Sequence, residues 1–481
     1  MTLSTRPRSA SFVDALVDAL GESRVVEDRA KIGRYLRDFS WYSPILESAL
    51  ADTTVTAVAK PDSLEALRET VAIAARNRVP LTMRGAGTGN YGQSLPLEDG
   101  LVVDVKGVAG VLDVSEGRIA VLPGTTLKAA EEAARQTGQE LAVMPSTYRV
   151  ATASGFICGG SGGIGASAHG DLWSGNVLAV ELLTVTDAPE PVRLEGDQVN
   201  AVLHTYGTIG VITRVELRLV PRHEYTASFV TFGDFADACA FGWDLVDSAV
   251  HTRLASVQQA PIGGMFTPLA ELVGDTGHVV LVWSDVEDDA ALDELVARHR
   301  GTRASWPDGA PHITQFPYSH TILWSRRADP SSSWLQCEYA ADDRGRFLDQ
   351  VAALTERFPG VFLQHVEINK SRDGGVRCMG IPPLMGLPDH AGALDELIAF
   401  CTGIGVVVLN PHSYVVEEGG FVGDVAETLA LKERCDPLGI LNPGKLGASF
   451  FAARRSVSDA GDLDLRSPEQ LDDPDGAGAQ R

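Results

Sequence analysis

Four glycines that alternate with small or polar residues, in Arg84-Gly-Ala-Gly-Thr-Gly-Asn-Tyr-Gly92, constrain this chain more than any other feature. We call this stretch the first glycine segment. It follows an apolar run, Val79–Met83, that we predict to be a strand. Glycine permits positive φ angles and lets a ligand approach the backbone closely. Because consecutive backbone N–H groups can form a concavity for an anion, and a tight turn needs fewer glycines, we interpret the segment as a phosphate cradle.

The residues after this segment disfavour a nicotinamide-binding fold of the Rossmann type. That fold needs a helix directly after its glycines. Here the chain continues into Gln93-Ser-Leu-Pro-Leu-Glu-Asp-Gly100, which breaks helices, and then into a predicted strand. Asp104 stands at about the right distance for a ribose contact, but no helix intervenes. A nicotinamide enzyme is therefore the most distant alternative.

A second glycine-rich stretch, Ala153–Gly165, reads ASGFICGGSGGIG, and we call it the second glycine segment. Apolar residues at Phe156, Ile157 and Ile164 interrupt it, which argues against a flexible linker. We interpret Cys158, within this segment, as a small buried residue. Two glycine-rich loops in one domain suggest one long ligand that contacts the backbone at two places.

The spacing of apolar residues predicts an α+β fold with a domain boundary near Pro221. Strand and helix patterns alternate before this point, and the helix that starts at Leu64 follows a capping residue, Asp62, with Glu65 three residues after it. Beyond the boundary we predict an antiparallel sheet. Its strands are Gly277–Trp283, Ser333–Ala340, Val361–Asn369, Gly405–Leu409 and Tyr414–Val416, and its helices are Phe235–Ser248, Ala290–Arg298, Arg344–Arg357 and Ala391–Thr402.

Charge and cysteine content restrict the partners and the location. The 481 residues carry 64 acidic and 40 basic side chains, a formal net charge of −24. A field of this sign repels phosphate backbones, so we expect no nucleic acid partner. No apolar run approaches the ~20 residues of a membrane span. The six cysteines form no C-x-x-C pair, which predicts reduced thiols and no local metal cluster. We find no pattern typical of a secretory signal and therefore expect a cytoplasmic location.

Four motifs occur in a specific order: RGAGTG in the first glycine segment, ATASGFICGGSGGIG around the second, YGTIGVIT at Tyr206–Thr213, and DPLGILNPGK ending at Lys445. With this combination the chain resembles the vanillyl-alcohol oxidase / p-cresol methylhydroxylase flavoprotein superfamily, in its glycolate oxidase and D-lactate dehydrogenase-like branch. The resemblance spans about Thr53 to Lys445. It implies FAD as the cofactor.

The resemblance also implies roles for individual residues and regions. Those expected around the FAD pyrophosphate and the flavin are Arg84, Gly85, Ala86, Gly87, Thr88, Gly89, Asn90, Pro145, Ser146, Thr152, Ser154, Gly155, Gly163, Ile164 and Gly165. It places Ile209, Val211 and Ile212 near the adenine or its ribose. It also implies that Asn442 and Lys445 close over the flavin. Residues 1–221 would form the PCMH-type FAD-binding domain, 222–425 the substrate cap, and 426–451 a segment that returns to the flavin. Residues 452–481 are predicted to be a disordered acidic tail.

The chain departs from the family pattern at three places. Members with covalently held FAD often carry His where this chain has Thr88, or Cys where it has Val150. We therefore expect non-covalent FAD. The metal-binding motifs of the 2-hydroxy-acid branch are also missing, since Glu418 is followed by Gly419 instead of His. We expect no metal, and a simple 2-hydroxy-acid substrate is in doubt.

Candidate catalytic residues lie in the predicted cap. Flavin oxidations generally need a base for the departing proton. His412 and Tyr414 lie two residues apart on a predicted strand, so their side chains share one face of it. His365 and Glu367 share a face of another predicted strand, and this face is either exposed to solvent or lines a pocket. Arg377 could bind a substrate carboxylate, because a guanidinium does so in bidentate fashion. The alternative is that each of these side chains is structural.

The sequence thus predicts an FAD-dependent oxidase or dehydrogenase that acts on an alcohol, a hydroxy acid or a related carbon of a small molecule. Oxygen or an external acceptor would take the electrons. Two alternatives from other classes stay open. One is a flavoprotein that performs a tailoring step without net redox change, or a cyclisation, in a biosynthetic route. The other is a non-catalytic binding protein on a flavin fold.

Overall fold

The structure is a computed structural model, and it describes residues 9–274, 277–341, 343–387 and 390–447. The predicted disordered tail at residues 452–481 lies outside the described residues. Within the described part of the chain, no helix is both long and apolar enough to cross a membrane.

A mixed sheet supports the first glycine segment. Its strands are β1 (Val25–Val26), β2 (Ala57–Ala59), β3 (Leu81–Arg84) and β4 (Leu101–Asp104), and the helices of this region are α1 (Ser9–Leu20), α2 (Arg29–Ile32), α3 (Pro44–Ala49) and α4 (Leu64–Arg76). In the order β1-β2-β4-β3, only β1 runs antiparallel to its neighbour. The Ser63 hydroxyl caps α4 by accepting from the Ala66 N–H (3.1 Å). The predicted cap at Asp62 is therefore wrong, because that carboxylate pairs with Arg24 instead.

An antiparallel sheet carries the second glycine segment. Its strands are β5 (Val111–Ser115), β6 (Arg118–Val121), β7 (Gln139–Leu141), β8 (Val177–Leu183), β9 (Pro191–Glu195) and β10 (Val211–Pro221), and its helices are α5 (Leu127–Arg135), α6 (Ala153–Gly159) and α7 (Ala166–His169). The long β10 pairs with β6, β7 and β8. The expectation that the whole second glycine segment is a loop is wrong. Its first half is α6, capped by the Thr152 hydroxyl and buried through Phe156 and Ile157.

The second half of the chain forms a separate antiparallel sheet, as predicted. Its strands, within the described residues, are β11 (Tyr225–Phe232), β12 (Thr252–Gln258), β13 (His278–Asp285), β14 (Thr302–Ser305), β16 (Gln336–Glu338), β17 (His365–Lys370), β18 (Val376–Gly380) and β20 (Val407–Leu409), while β15 (Ser333–Trp334) pairs with β19 (Pro383–Leu384). The helices are α8 (Phe235–Asp247), α9 (Ile262–Met265), α10 (Ala270–Val273), α11 (Asp289–Arg298), α12 (Ser319–Ala328), α13 (Arg344–Arg357), α14 (His390–Gly403), α15 (Val416–Gly419) and α16 (Val425–Cys435). Four of them, α8, α11, α13 and α14, confirm predicted helices.

A buried guanidinium joins the two halves of the molecule. Arg253 on β12 donates to Glu131 Oε1 (3.0 Å) and to Glu140 Oε2 (2.8 Å), both on the N-terminal half. Its guanidinium carbon also lies 5.2 Å from the centre of the Trp283 ring. Because separation would leave the buried Arg253 guanidinium without its carboxylate partners, this contact opposes relative movement of the two halves.

The chain returns to the first sheet after α16. The Leu81 N–H on β3 donates to Ile440 O (2.8 Å), and the Asn442 N–H donates to Leu81 O (2.5 Å). The C-terminal segment therefore lies beside the strand that leads into the first glycine segment. The predicted strand Tyr414–Val416 is wrong, since β20 ends earlier and α15 begins at Val416.

Candidate functional site

Both glycine segments face one cleft, which we call the glycine cleft. It lies between residues 83–94, 145–162 and 204–212 and a wall of the second half that includes Tyr318, Ser319, Gln336 and Ile381. The space between them, with the open mouth included, amounts to about 1350 Å³. The first glycine segment lies at the end of β3, and α6 supplies the opposite wall. Two segments that the sequence analysis considered separately therefore surround a single space.

Close packing explains two of the glycines. A side chain at Gly85 would clash with the hydroxyl of Thr152, the residue directly before the second glycine segment, so glycine at this position permits the close approach. Gly87 has φ +69° and would place a side chain against the guanidinium of Arg84. Positions with this φ strongly favour glycine.

Arg84 holds the first glycine segment from beneath. Its buried guanidinium donates to Arg37 O (2.6 Å), Tyr35 O (3.2 Å) and Ser94 Oγ (3.0 Å). These three acceptors are neutral and belong to the protein. In this structure, Arg84 therefore stabilises the loop.

The structure divides the predicted cofactor residues into two groups. Those that line the glycine cleft are Arg84, Gly85, Ala86, Gly87, Thr88, Gly89, Asn90, Pro145, Ser146, Thr152, Ser154, Gly155 and Ile212. Those that do not line it are Gly163, Ile164, Gly165, Ile209, Val211, Asn442 and Lys445. Residues 163–165 pack behind the wall, where the Met144 N–H donates to Ile164 O (2.9 Å). Ile209 and Val211 are buried in the core.

Asn442 and Lys445 support the cleft without lining it. The Lys445 ammonium donates to three backbone carbonyls of the turn that follows the first glycine segment: Gly92 O (2.6 Å), Gln93 O (2.9 Å) and Leu95 O (2.6 Å). Asn442 Nδ2 donates to Gln93 O (2.9 Å) and Tyr206 O (2.6 Å). Burial lowers the pKa of Lys445 to about 7. These residues fix the shape of the loop rather than close over the cleft.

The sequence analysis missed His204 and Tyr206, which line the glycine cleft with buried polar groups. His204 Nδ1 lies 2.9 Å from Gly160 O, and a carbonyl can only accept, so Nδ1 carries the hydrogen and Nε2 is an acceptor. Among the described residues, neither Nε2 nor the Tyr206 hydroxyl has a hydrogen-bond partner. Both residues have φ +57°. The sequence signal that could have indicated them is the YGTIG motif, which Tyr206 begins and which His204 precedes by two residues.

Burial lowers the pKa of His204 to about 4, so the imidazole is neutral at physiological pH. An unfolded histidine has a pKa of about 6.5. As pH falls from 6.5 to 4 the unfolded chain binds a proton that the folded protein does not, and stability is lost. The test is the variant H204N, whose side chain does not titrate but can still donate to Gly160 O. Between pH 6.5 and 4 we expect the free energy of unfolding, measured with urea, to fall in the parent protein by up to about 3 kcal/mol more than in H204N.

The measurement contains its own control. Above pH 7 the histidine is neutral in both states, so any difference between H204N and the parent protein reports altered packing against Phe421, whose ring stacks on His204 at 4.0 Å. Two parallel pH profiles would contradict the assignment of a neutral, buried His204.

A second cavity, which we call the chamber, continues from the glycine cleft. Its space, with the open mouth included, amounts to about 1770 Å³. It shares Ser161, Gly162, Tyr318, Gln336 and Ile381 with the cleft. Both halves of the molecule contribute to its walls: Trp173 belongs to the first half and Met379 to the second. A ligand in the cleft and a small molecule in the chamber would therefore meet at the shared residues.

Tyr318 stands at this junction in a strained conformation, with φ +54°. Its N–H donates to Glu367 Oε1 (2.7 Å), and its hydroxyl donates to Gly163 O (2.6 Å) in the second glycine segment. His365 Nε2 lies 2.7 Å from the same Glu367 oxygen, and His365 Nδ1 donates to Ile381 O (3.0 Å). His365 and Glu367 thus form a buried pair that positions Tyr318.

The expectation that His365 and Glu367 face solvent or line a pocket is wrong, because both are fully buried behind the junction. His412 and Tyr414 also line neither cavity. His412 Nδ1 lies 2.6 Å from Ser43 Oγ, and its Nε2 donates to Trp334 O (2.7 Å). Tyr414 packs on a small leucine cluster. Since no strand connects them, they share no face.

Arg377 is the predicted catalytic candidate that lines the chamber. Its Nε and Nη2 donate to the two carboxylate oxygens of Glu338 (2.6 and 2.7 Å), and its Nη1 donates to Asp171. The bidentate face that was expected to bind a substrate carboxylate is therefore occupied by Glu338. Among the described residues, no group of three or more His, Cys, Asp or Glu side chains is arranged to hold a metal ion.

Comparisons with known proteins agree with this architecture. A family described as an FAD binding domain matches residues 55–188. Glycolate oxidase subunit GlcD of Escherichia coli is 31% identical over 432 residues, which cover 81% of this chain and 83% of that protein. An uncharacterized FAD-linked oxidoreductase of Mycobacterium tuberculosis is 28% identical over 236 residues, 47% of each chain. The match thus spans about half the length of the mycobacterial relative.

The fold is similar to that of p-cresol methylhydroxylase solved with substrate bound. The TM-score is 0.68 at 14% sequence identity, and the alignment covers 92% of this chain and 97% of that chain. At this identity the likeness establishes the fold alone.

The residues of the glycine cleft fit FAD. The cleft runs along both glycine segments. Its glycine-rich backbone suits a pyrophosphate. His204 Nε2 and the Tyr206 hydroxyl are buried polar atoms that need a partner within the cleft. The chain belongs to the family of FAD-linked oxidoreductases that contains glycolate oxidase subunit GlcD.

Proposed function

We propose that this protein oxidises a CH–OH group of a small molecule with FAD as cofactor and passes the electrons to oxygen or to another external acceptor. The observation that carries the proposal is the continuity of the glycine cleft with the chamber through Tyr318, Gln336 and Ile381. When bound, the flavin supplies an acceptor for two electrons, which no side chain of the protein can provide. The names of glycolate oxidase and of a D-lactate dehydrogenase from Archaeoglobus fulgidus, 28% identical over 204 residues, favour a CH–OH substrate.

The chain's own residues would orient the substrate and receive its proton. Tyr318 is held between Glu367 and Gly163, so it forms a rigid wall at the junction. Gln336 Oε1 is held by the Tyr91 hydroxyl (2.6 Å). His204 Nε2 is a neutral acceptor within the glycine cleft, available for a hydroxyl hydrogen or another donor of a bound molecule.

We also propose that FAD is bound without a covalent bond. Thr88 lines the cleft at the position where covalently flavinylated members often have His. Val150 is 54% exposed and lies outside the cleft lining. Cys158 does line the cleft, but burial raises the pKa of its thiol to about 12, so it is protonated and a poor nucleophile.

The absorbance spectrum of the purified protein tests the cofactor and its attachment together. We expect flavin bands that move to the supernatant after acid precipitation. Colour in the pellet would show a covalent link and contradict that part of the proposal. If no flavin is present, and none binds when FAD is added, the proposed function is wrong.

Anaerobic mixing of the FAD-loaded protein with a panel of alcohols and hydroxy acids tests the reaction class. We expect at least one compound to bleach the flavin bands, with recovery of the colour when oxygen or an artificial acceptor is admitted. Bound FAD that no compound bleaches, together with a product formed without net oxidation, would indicate a non-redox flavoprotein instead.

A further inference from the structure

We infer that the chamber selects alcohols that have no free carboxylate, that is, uncharged or cationic molecules rather than simple 2-hydroxy acids. The inference deepens the proposed function and rests on it, since the chamber is the space that continues from the glycine cleft. It concerns charge, and three features of the chamber support it.

The first feature is the pairing of Arg377. A guanidinium that anchors a substrate carboxylate must offer two parallel N–H groups. Glu338 already occupies both Nε and Nη2 of Arg377, and Asp171 accepts from Nη1. All three side chains line the chamber. One cation with two carboxylates leaves this part of the wall with a net negative charge.

The second feature is the charge of the whole chamber. Of the described residues that line it, five are acidic and three are basic. Two of the bases already donate to other groups of the protein: Arg372 donates to Asp197 (2.7 Å), and the Lys370 ammonium donates to Gly374 O (3.3 Å). Asp424 and Glu427 are exposed residues of the chamber lining. An entering anion would be repelled, and an entering cation would be attracted.

The third feature is a buried acceptor without a partner. Asn369, on β17, is 5% exposed and lines the chamber, and its Oδ1 has no hydrogen-bond partner among the described residues. A buried carbonyl oxygen needs a donor. A hydroxyl or ammonium group of a ligand would supply one, whereas a carboxylate would not.

Apolar and aromatic side chains form other parts of the chamber wall. Trp173, Phe421, Met379 and Ile381 all line it. Aromatic faces attract cations as well as apolar groups. A compact aromatic ring with one polar substituent therefore suits the chamber as a probe.

Three ring compounds of nearly the same shape separate charge from size: benzamidine, a cation; benzamide, which is neutral; and benzoate, an anion. Their dissociation constants would be measured with the FAD-loaded protein, from the perturbation of the flavin spectrum and by equilibrium dialysis. We expect benzamidine to bind at least about tenfold more tightly than benzoate, with benzamide between them. Equal or tighter binding of benzoate, or no binding of any probe up to its solubility limit, would overturn the inference.

Removing one carboxylate tests the role of Arg377 directly. In E338Q the guanidinium loses its bidentate partner, and we expect benzoate affinity to rise about tenfold while benzamidine affinity falls. The matched control is E132Q, which changes net charge equally on an exposed pair with Lys128 far from the chamber. If both variants change benzoate binding equally, the inference is wrong. Flavin content, read from the same spectra, reports separately on the proposed function.

Discussion

Replacing Lys445 by methionine should lower the free energy of unfolding by about 3 kcal/mol. Methionine has a similar length, but it offers no donor to Gly92 O, Gln93 O and Leu95 O, which the buried ammonium now serves. Buried carbonyls without partners are costly, at about 1–3 kcal/mol each when nothing replaces the lost donor. The change would also remove a positive charge that attracts the buried carboxylate of Asp38. Urea unfolding of the FAD-free protein measures the effect.

The matched control is K128M on α5. Lys128 is half exposed and lies 3.4 Å from Glu132, so its loss should cost no more than about 0.5 kcal/mol. If K445M and K128M unfold at the same urea concentration, the three hydrogen bonds contribute little, and our account of how the C-terminal segment supports the glycine cleft is wrong.

Replacing Gly87 by alanine should weaken FAD binding at least about tenfold. The methyl group would clash with the guanidinium of Arg84 and force it off Arg37 O and Tyr35 O. The first glycine segment would then lose the contacts that fix its shape. The dissociation constant follows from titration of the FAD-free variant with FAD.

Gly117 provides a matched control, since the two glycines have nearly the same backbone conformation. Gly117 has φ +73°, close to the +69° of Gly87, but it lies in the β5–β6 hairpin, where an added methyl group would meet no atom within 4 Å. Both G87A and G117A should destabilise folding by about 1 kcal/mol, because alanine disfavours this φ. Only G87A should lose FAD affinity. Equal affinities would show that the first glycine segment tolerates a side chain and would contradict the cradle.

The motifs implied the cofactor through their resemblance to known flavoproteins, and the glycine segments predicted much of the glycine cleft because glycine content is a local property of the sequence. A glycine loop after a strand has few alternatives, and both glycine segments do line the cleft. Helices α8, α11, α13 and α14 were also predictable, since their apolar residues recur at helical spacing. Local pattern failed at Tyr414, where a short apolar run was interpreted as a strand although no neighbouring strand pairs with it in the described structure.

The candidate catalytic residues depended on contacts between distant parts of the chain. His365 and Glu367 share a strand face as predicted, but only the packing of Tyr318 against them shows that this face is a buried support. His204 gave no periodic signal, and its role follows from a carbonyl 44 residues away that fixes its tautomer. Arg377 was recognised as a possible anion site, and the carboxylates that neutralise it lie 39 and 206 residues away.

The sequence by itself indicated an α+β fold and a backbone cradle for one long ligand, because glycine-rich backbone is a local property that can be recognised without knowledge of packing. Through their resemblance to known flavoproteins, the four motifs implied that this ligand is FAD. Only the tertiary structure decided which side chains face the chamber and what charge they present there. A guanidinium can bind a substrate carboxylate only when its N–H donors are free. In Arg377 these donors are occupied by Glu338 and Asp171, which lie far from it in the sequence.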